Sequence, residues 1–245
     1  MKMSMGTLYR GVMKRGRKAF TLIELLVVIG IIAIMVGVLV GVLGGGGNSS
    51  TALQSAQGTM SSLLASARAQ AALTGYNAAL FVNDNKDNPD RYLRYCVIAV
   101  YQPDANGKYN WVAANDGAYL PKGAYVVPPD VASQSATGVS FAAINVKGFD
   151  GAPTKVSVTL NATSSEPWLV LGISPLGSRV DVSVSPQNPP AATANGSIVL
   201  STADPQPLGS GSQFPILFNN AQNVRGMSIS QYGVAGFIND ASGFR

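Results

Sequence analysis

The 245-residue chain contains no histidine. That absence removes Ser-His-Asp and Cys-His nucleophile activation, His-ligated zinc and imidazole acid–base chemistry. Cysteine is present once, as Cys96, so no intramolecular disulfide is possible. Many secreted domains are stapled by disulfides, whereas this one must rely on its core. Roughly 170 residues after the first helices are enough for one such core. Cys96 sits in the strand-like run Tyr95-Cys96-Val97-Ile98-Ala99-Val100, where buried packing is a better reading than a reactive thiol. Charge is also scarce, at 12% of residues. The few acids scatter through turn-like stretches, which leaves no carboxylate pair of the kind a glycosidase needs. A Ser-Lys arrangement survives on composition, but no spacing marks one. The chain is therefore read as a non-enzyme, with no cofactor expected.

The excess of positive charge is local. Lys2, Arg10, Lys14, Arg15, Arg17 and Lys18 all fall within residues 1–19, where there is no acid. The remainder holds 11 basic residues against 12 acidic ones, a side-chain charge of −1. The sequence pI of 9.4 thus belongs to the N-terminal segment and says nothing about nucleic acid elsewhere. Nucleic acid is not among the expected partners.

What is present is a long apolar run. Basic residues stop at Lys18, and from Leu25 to Leu43 there is no charge. At about 1.5 Å per helical residue that stretch covers roughly 28 Å, close to the hydrocarbon thickness of a bilayer. In lipid such a run satisfies its own backbone only as a helix. Positive charges before it keep that end cytoplasmic. A secretory signal core usually spans about 7–15 residues and ends at a small-x-small site. The run here is longer and leads into Gly44-Gly45-Gly46-Gly47. A plain membrane anchor is the simpler alternative. It gives no role to Glu24, the lone charge between Lys18 and Arg68. An ionisable group in such a place is expensive, which makes Glu24 a candidate functional residue.

The run Lys18-Ala19-Phe20-Thr21-Leu22-Ile23-Glu24-Leu25-Leu26-Val27-Val28-Ile29 resembles the processing site of type IV pilins and pseudopilins. The resemblance implies that a prepilin peptidase cuts between Ala19 and Phe20 and methylates the new amino group of Phe20. Glu24 becomes the fifth residue of the mature chain and pairs with a free amino terminus in the assembled fibre. The family usually has Gly before the cut. Ala19 stands there in this chain and is small enough for the same role.

Further along, Gly30, Gly37 and Gly41 suit either close helix packing or simple tolerance in lipid. A break is expected at 44–50, with Asn48-Ser49-Ser50-Thr51 offering caps for renewed helix. Leu53, Ala56, Met60, Leu63, Leu64, Ala67 and Ala71 recur at three- and four-residue spacing, which predicts one apolar helix face. Ser, Gln and Arg68 fill the other faces, and Gly75 is the expected C-cap.

From Tyr76 the pattern turns to short β-rich runs. Strands are predicted at 76–82, 92–101, 109–113, 123–127, 139–146, 155–160, 168–173, 179–184, 197–201, 227–230 and 234–238. Residues 185–196 and 203–215 read as surface loops. The Asn83–Asp90 stretch is rich in oxygen ligands. It lacks the Gly and closing Glu of a calcium loop, and Lys86 interrupts it, so a hairpin with Asx turns is preferred. Tyr92, Tyr95, Tyr101, Tyr109 and Trp111 could make a stacking platform for single strands. Without a basic groove, a core and cross-strand role is preferred.

A second, shorter resemblance lies in Met60–Ala72, whose Leu…Ala-Arg-x-x-Ala pattern is similar to H-type minor pseudopilins and FimT-like minor pilins. Ile173-Ser174-Pro175-Leu176-Gly177, Ser197–Leu200 and Met227–Gly233 are similar to that family's Pro-x-Gly turn, late strand and terminal Gly-containing strand.

The expected fold is α+β: a long N-terminal membrane-spanning helix packed on an antiparallel β domain, pilin-like. Its parts are a cleaved leader (1–19), the helix (20–75, with 20–43 spanning the membrane or forming the fibre core) and a globular β-rich domain (76–245). The expected protein is a structural subunit, a minor pseudopilin of a type II secretion pseudopilus. The alternative is a minor type IV pilin in pilus assembly, adhesion or DNA uptake. A membrane-anchored hydrolase fits poorly without histidine. Expected partners are the prepilin peptidase, other pilin or pseudopilin subunits and the bacterial inner membrane. The chain would cross that membrane once with its C-terminal domain periplasmic, before entering the fibre.

Overall fold

The three-and-four spacing from Leu53 to Ala71 becomes the buried face of helix α1 (Gly47–Thr74) in the computed structural model of the chain. The structure describes residues 23, 26–29, 31, 47–128, 141, 155–160, 165–180, 196–207 and 214–244. All seven apolar positions of that spacing are buried. The helix begins at Gly47 and takes in Asn48–Thr51, the stretch expected to cap it. It ends as expected at Gly75, whose φ of +72° is a left-handed cap conformation and whose N–H donates to the Ala71 carbonyl at 3.0 Å. The chain divides into two units between Gly46 and Gly47.

The described strands of the second unit are β1 (Ala78–Asn83), β2 (Tyr95–Pro103), β3 (Tyr109–Ala113), β4 (Ala118–Tyr119), β5 (Ala124–Val126), β6 (Lys155–Thr159), β7 (Ser165–Ile173), β8 (Arg179–Val180), β9 (Gly196–Pro205), β10 (Ile216–Phe218), β11 (Val224–Ile229) and β12 (Ala235–Ile238). A short 3-10 helix follows at Ala241–Phe244. The larger sheet runs β3-β2-β1-β7-β6, with β4 added to β2 and β8 to β7. The smaller runs β10-β9-β11-β12, with β5 added to β9. Every described pairing is antiparallel, so the architecture is mixed helix and antiparallel sheet, α+β.

One apolar cluster joins the buried face of α1 to Leu80, Ile98 and Leu171 of the larger sheet and to Ile198, Val199 and Met227 of the smaller. A second cluster lies on the other face of the larger sheet, around Phe81, Val97, Val158, Trp168 and Val170. Phe81 stands opposite Val97 on one side and Val170 on the other. Strand β1 is therefore buried on both faces, which is why Ala78-Ala79-Leu80-Phe81-Val82 shows no polar alternation.

Several expected boundaries move. The strand expected from Tyr92 starts at Tyr95, because Asn88–Arg94 is wound into turns in which Leu93 takes φ of +55°. Strand β9 continues through Ala203–Pro205, expected to be loop, and pairs there with β10. Proline ends that pairing rather than forbidding it, since Pro205 closes the strand. Of the strand expected at 139–146 only Phe141 is described, and 181–184 lie outside the described residues.

Candidate functional site

Ala19, Phe20 and Glu24 lie outside the described residues. Their described neighbours Ile23, Leu26, Val27, Val28, Ile29 and Ile31 are helical, and each is between 48% and 70% exposed. An apolar helix surface of that kind is stabilised by lipid or by other helices, not by water. Among the described residues no helix is long and apolar enough to cross a membrane. Most of the expected span at 20–43 falls outside them.

In the second unit, α1 is fixed to the strands by two polar side chains that their residue type alone assigns to the wet faces. Gln57 is buried, and its amide donates to the carbonyls of Gly226 at 2.5 Å and Ile238 at 3.0 Å. Arg68 donates to the Gly233 carbonyl at 3.0 Å. Gly233 has φ of +69°, and a methyl group there would collide with the Gly177 carbonyl oxygen. Only glycine lets the β7–β8 and β11–β12 turns meet under Arg68.

The aromatic residues pack mainly across strands on the outer face of the larger sheet. Tyr101 stands opposite Trp111, with ring centroids 5.2 Å apart, and stacks on Tyr109 at 5.4 Å. Burial raises the Tyr101 phenol pKa, and neighbouring Tyr109 adds to it. Phe81 meets Trp111 and Trp168 edge to face at 5.1 and 5.9 Å. Tyr92 alone of the five expected residues turns into the inner core.

Beside this cluster the face opens into a groove of about 330 Å³. Arg91 bridges it, 4.2 Å above the Tyr95 ring and 3.5 Å from the Glu166 carboxylate. Glu166 also accepts from the Asn83 amide at 3.0 Å. Asn115 is oriented by the Ile98 N–H, which donates to its side-chain oxygen at 3.0 Å. The buried Trp168 lines the same groove, and its indole N–H has no hydrogen-bond partner among the described residues. Sequence reading missed this groove because Arg91 and Asn115 lie in turns and Glu166 precedes a proline. No periodic pattern announces any of the three.

The Asn83–Asp90 stretch forms the expected Asx turns. The Asn83 and Asn85 side-chain oxygens accept the N–H groups of Asn85 and Asp87 at 3.2 and 3.1 Å. Cys96 is fully buried, its thiol 3.8 Å from the Met60 sulfur, and burial pushes its pKa up to about 12. A thiol so placed is a packing group, as its strand context predicts.

The chain combines an α+β unit with an apolar helical segment that follows a basic N-terminus. Residues 14–40 match the family described as the prokaryotic N-terminal methylation motif. The chain thus carries the signature of type IV pilins and pseudopilins, which are prepilin-peptidase substrates and structural subunits. The match includes Ala19, Phe20 and Glu24. No curated protein and no solved structure matches the chain.

Proposed function

We propose that this protein is a minor pseudopilin of a type II secretion pseudopilus. The methylation motif carries the reading. The precursor sits in the inner membrane with residues 1–19 on the cytoplasmic side. Prepilin peptidase cuts between Ala19 and Phe20 and methylates Phe20. The mature helix then leaves the bilayer for the helical core of a short fibre, where Glu24 pairs with a neighbouring amino terminus. The exposed side chains of Ile23, Leu26, Val27, Val28, Ile29 and Ile31 suit first lipid and then neighbouring helices. Support for the minor-pseudopilin class comes from the Met60–Ala72 pattern, whose Arg68 reaches the C-terminal Gly233 turn.

The same motif and helix pattern also fit a minor type IV pilin, the second reading. Mass analysis of the mature N-terminus tests what the two share: the chain should begin at N-methyl-Phe20. A mature chain starting at Met1, or after Gly44, overturns the processing step. Ala19→Gly should leave cleavage intact, and a bulky residue at that position should block it. Co-purification of the tagged mature chain then separates the readings, since secretion pseudopilins and pilus subunits are different partners.

A further inference from the structure

The groove on the outer face of the larger sheet has no part in processing or in the helix-mediated assembly proposed above. Its polar rim is mixed. Arg91 and the Asn115 amide bring hydrogen-bond donors, while Glu166 and the exposed Asp116 bring carboxylate acceptors. Val97 and Val158 add apolar surface beside the Trp168 ring. At about 330 Å³ its volume sits at the small end of the range for small-molecule sites, roughly 300–1,000 Å³.

The chemistry narrows the occupant. A polyanion such as nucleic acid would place phosphates against two carboxylates, whereas such binders present basic grooves. A cationic ligand would meet the Arg91 guanidinium already seated over Tyr95. An added peptide strand needs a free sheet edge, but the centre of this face lies over β1, β2 and β7. Each of these is paired on both sides. A neutral polyhydroxylated ring meets all of the requirements. Its hydroxyls accept from Arg91 and Asn115 and donate to Glu166 and Asp116. Its C–H surface lies on the apolar side chains of the groove floor.

We propose that this groove binds sugar units of a neutral polysaccharide. The test uses the full chain, ¹⁵N-labelled, in zwitterionic detergent micelles, because a sugar-headed detergent would compete. The chain has two tryptophans, Trp111 and Trp168, and only Trp168 lines the groove. Titration with cellotriose, maltotriose and chitotriose should move the Trp168 indole signal saturably for at least one sugar, and leave the Trp111 signal in place. Asp116→Ala removes an exposed acceptor without touching the core. It should weaken that binding about tenfold while the Trp111 signal reports an intact fold. Overturning results are no saturable Trp168 shift with any of the three sugars, an unchanged affinity in Asp116→Ala, or a Trp168 response confined to an oligonucleotide or a peptide.

Discussion

Cys96 shows how one side chain can have its chemistry set by its surroundings. Among the described residues no charge favours the thiolate, and desolvation moves the pKa from an ordinary 9.0 to about 12. The folded state therefore holds its proton more tightly than the unfolded chain. That contribution to stability is complete below about pH 9 and is lost as pH rises from there towards 12. The expected outcome is that an aromatic disulfide reagent leaves the native chain unlabelled at pH 8 and labels one thiol per chain in denaturant. Native labelling would place Cys96 at the surface. Asp104 shows the opposite sign. Its carboxylate accepts the backbone N–H groups of Lys108 and Asn106, which hold its pKa below the ordinary 3.8. Its contribution is present above that value and fades only as pH falls through the lowered one.

Between elements, the polar contacts matter because the helix approaches the strands closely. At Gly226 a methyl group would run into the Ile198 carbonyl oxygen of the paired strand β9, and the Gly226 carbonyl takes the Gln57 amide directly. Gln57→Leu should lower stability by about 1–3 kcal/mol, because two carbonyls lose a buried donor. Denaturant titration should show a lower midpoint with an unchanged slope. An unchanged midpoint would mean that water replaces the amide without loss. Gln57 also marks the limit of what the sequence reveals. Its neighbours Ala56 and Met60 obey the helical spacing, so α1 is legible, as are the clearly bounded strands such as β3. A buried glutamine breaks the polar-out rule, and its partners lie 169 and 181 residues away. Nothing local reports contacts of that range. β4 and β10 were missed for a related reason. At two and three residues they are too short to carry a period and exist only through their pairing with β2 and β9. The groove depends likewise on Arg91 and Glu166, which are far apart in sequence and joined by the fold.

At the scale of the whole molecule, the proposed route takes the apolar N-terminal segment through two environments in turn, and Glu24 is the residue whose cost would differ between them. In lipid, replacing it with Leu removes a penalty of about 2–3 kcal/mol, so insertion should not suffer. The proposed cut between Ala19 and Phe20 keeps its flanking residues, so leader removal should also survive. Assembly is different. A free amino terminus in a fibre core needs a counter-charge, and breaking one side of a buried pair costs about 3–5 kcal/mol. In the proposed fibre that penalty would recur at every subunit contact, and the loss would also remove the cue that fixes axial register between helices. Glu24→Leu should therefore accumulate in the membrane at the wild-type level, begin at N-methyl-Phe20, and fail to cross-link to partner subunits. Normal cross-linking together with normal secretion or piliation would show that Glu24 has no part in assembly. A mutant that keeps its leader would instead assign Glu24 to recognition by the peptidase, because the residues at the cut itself are unchanged.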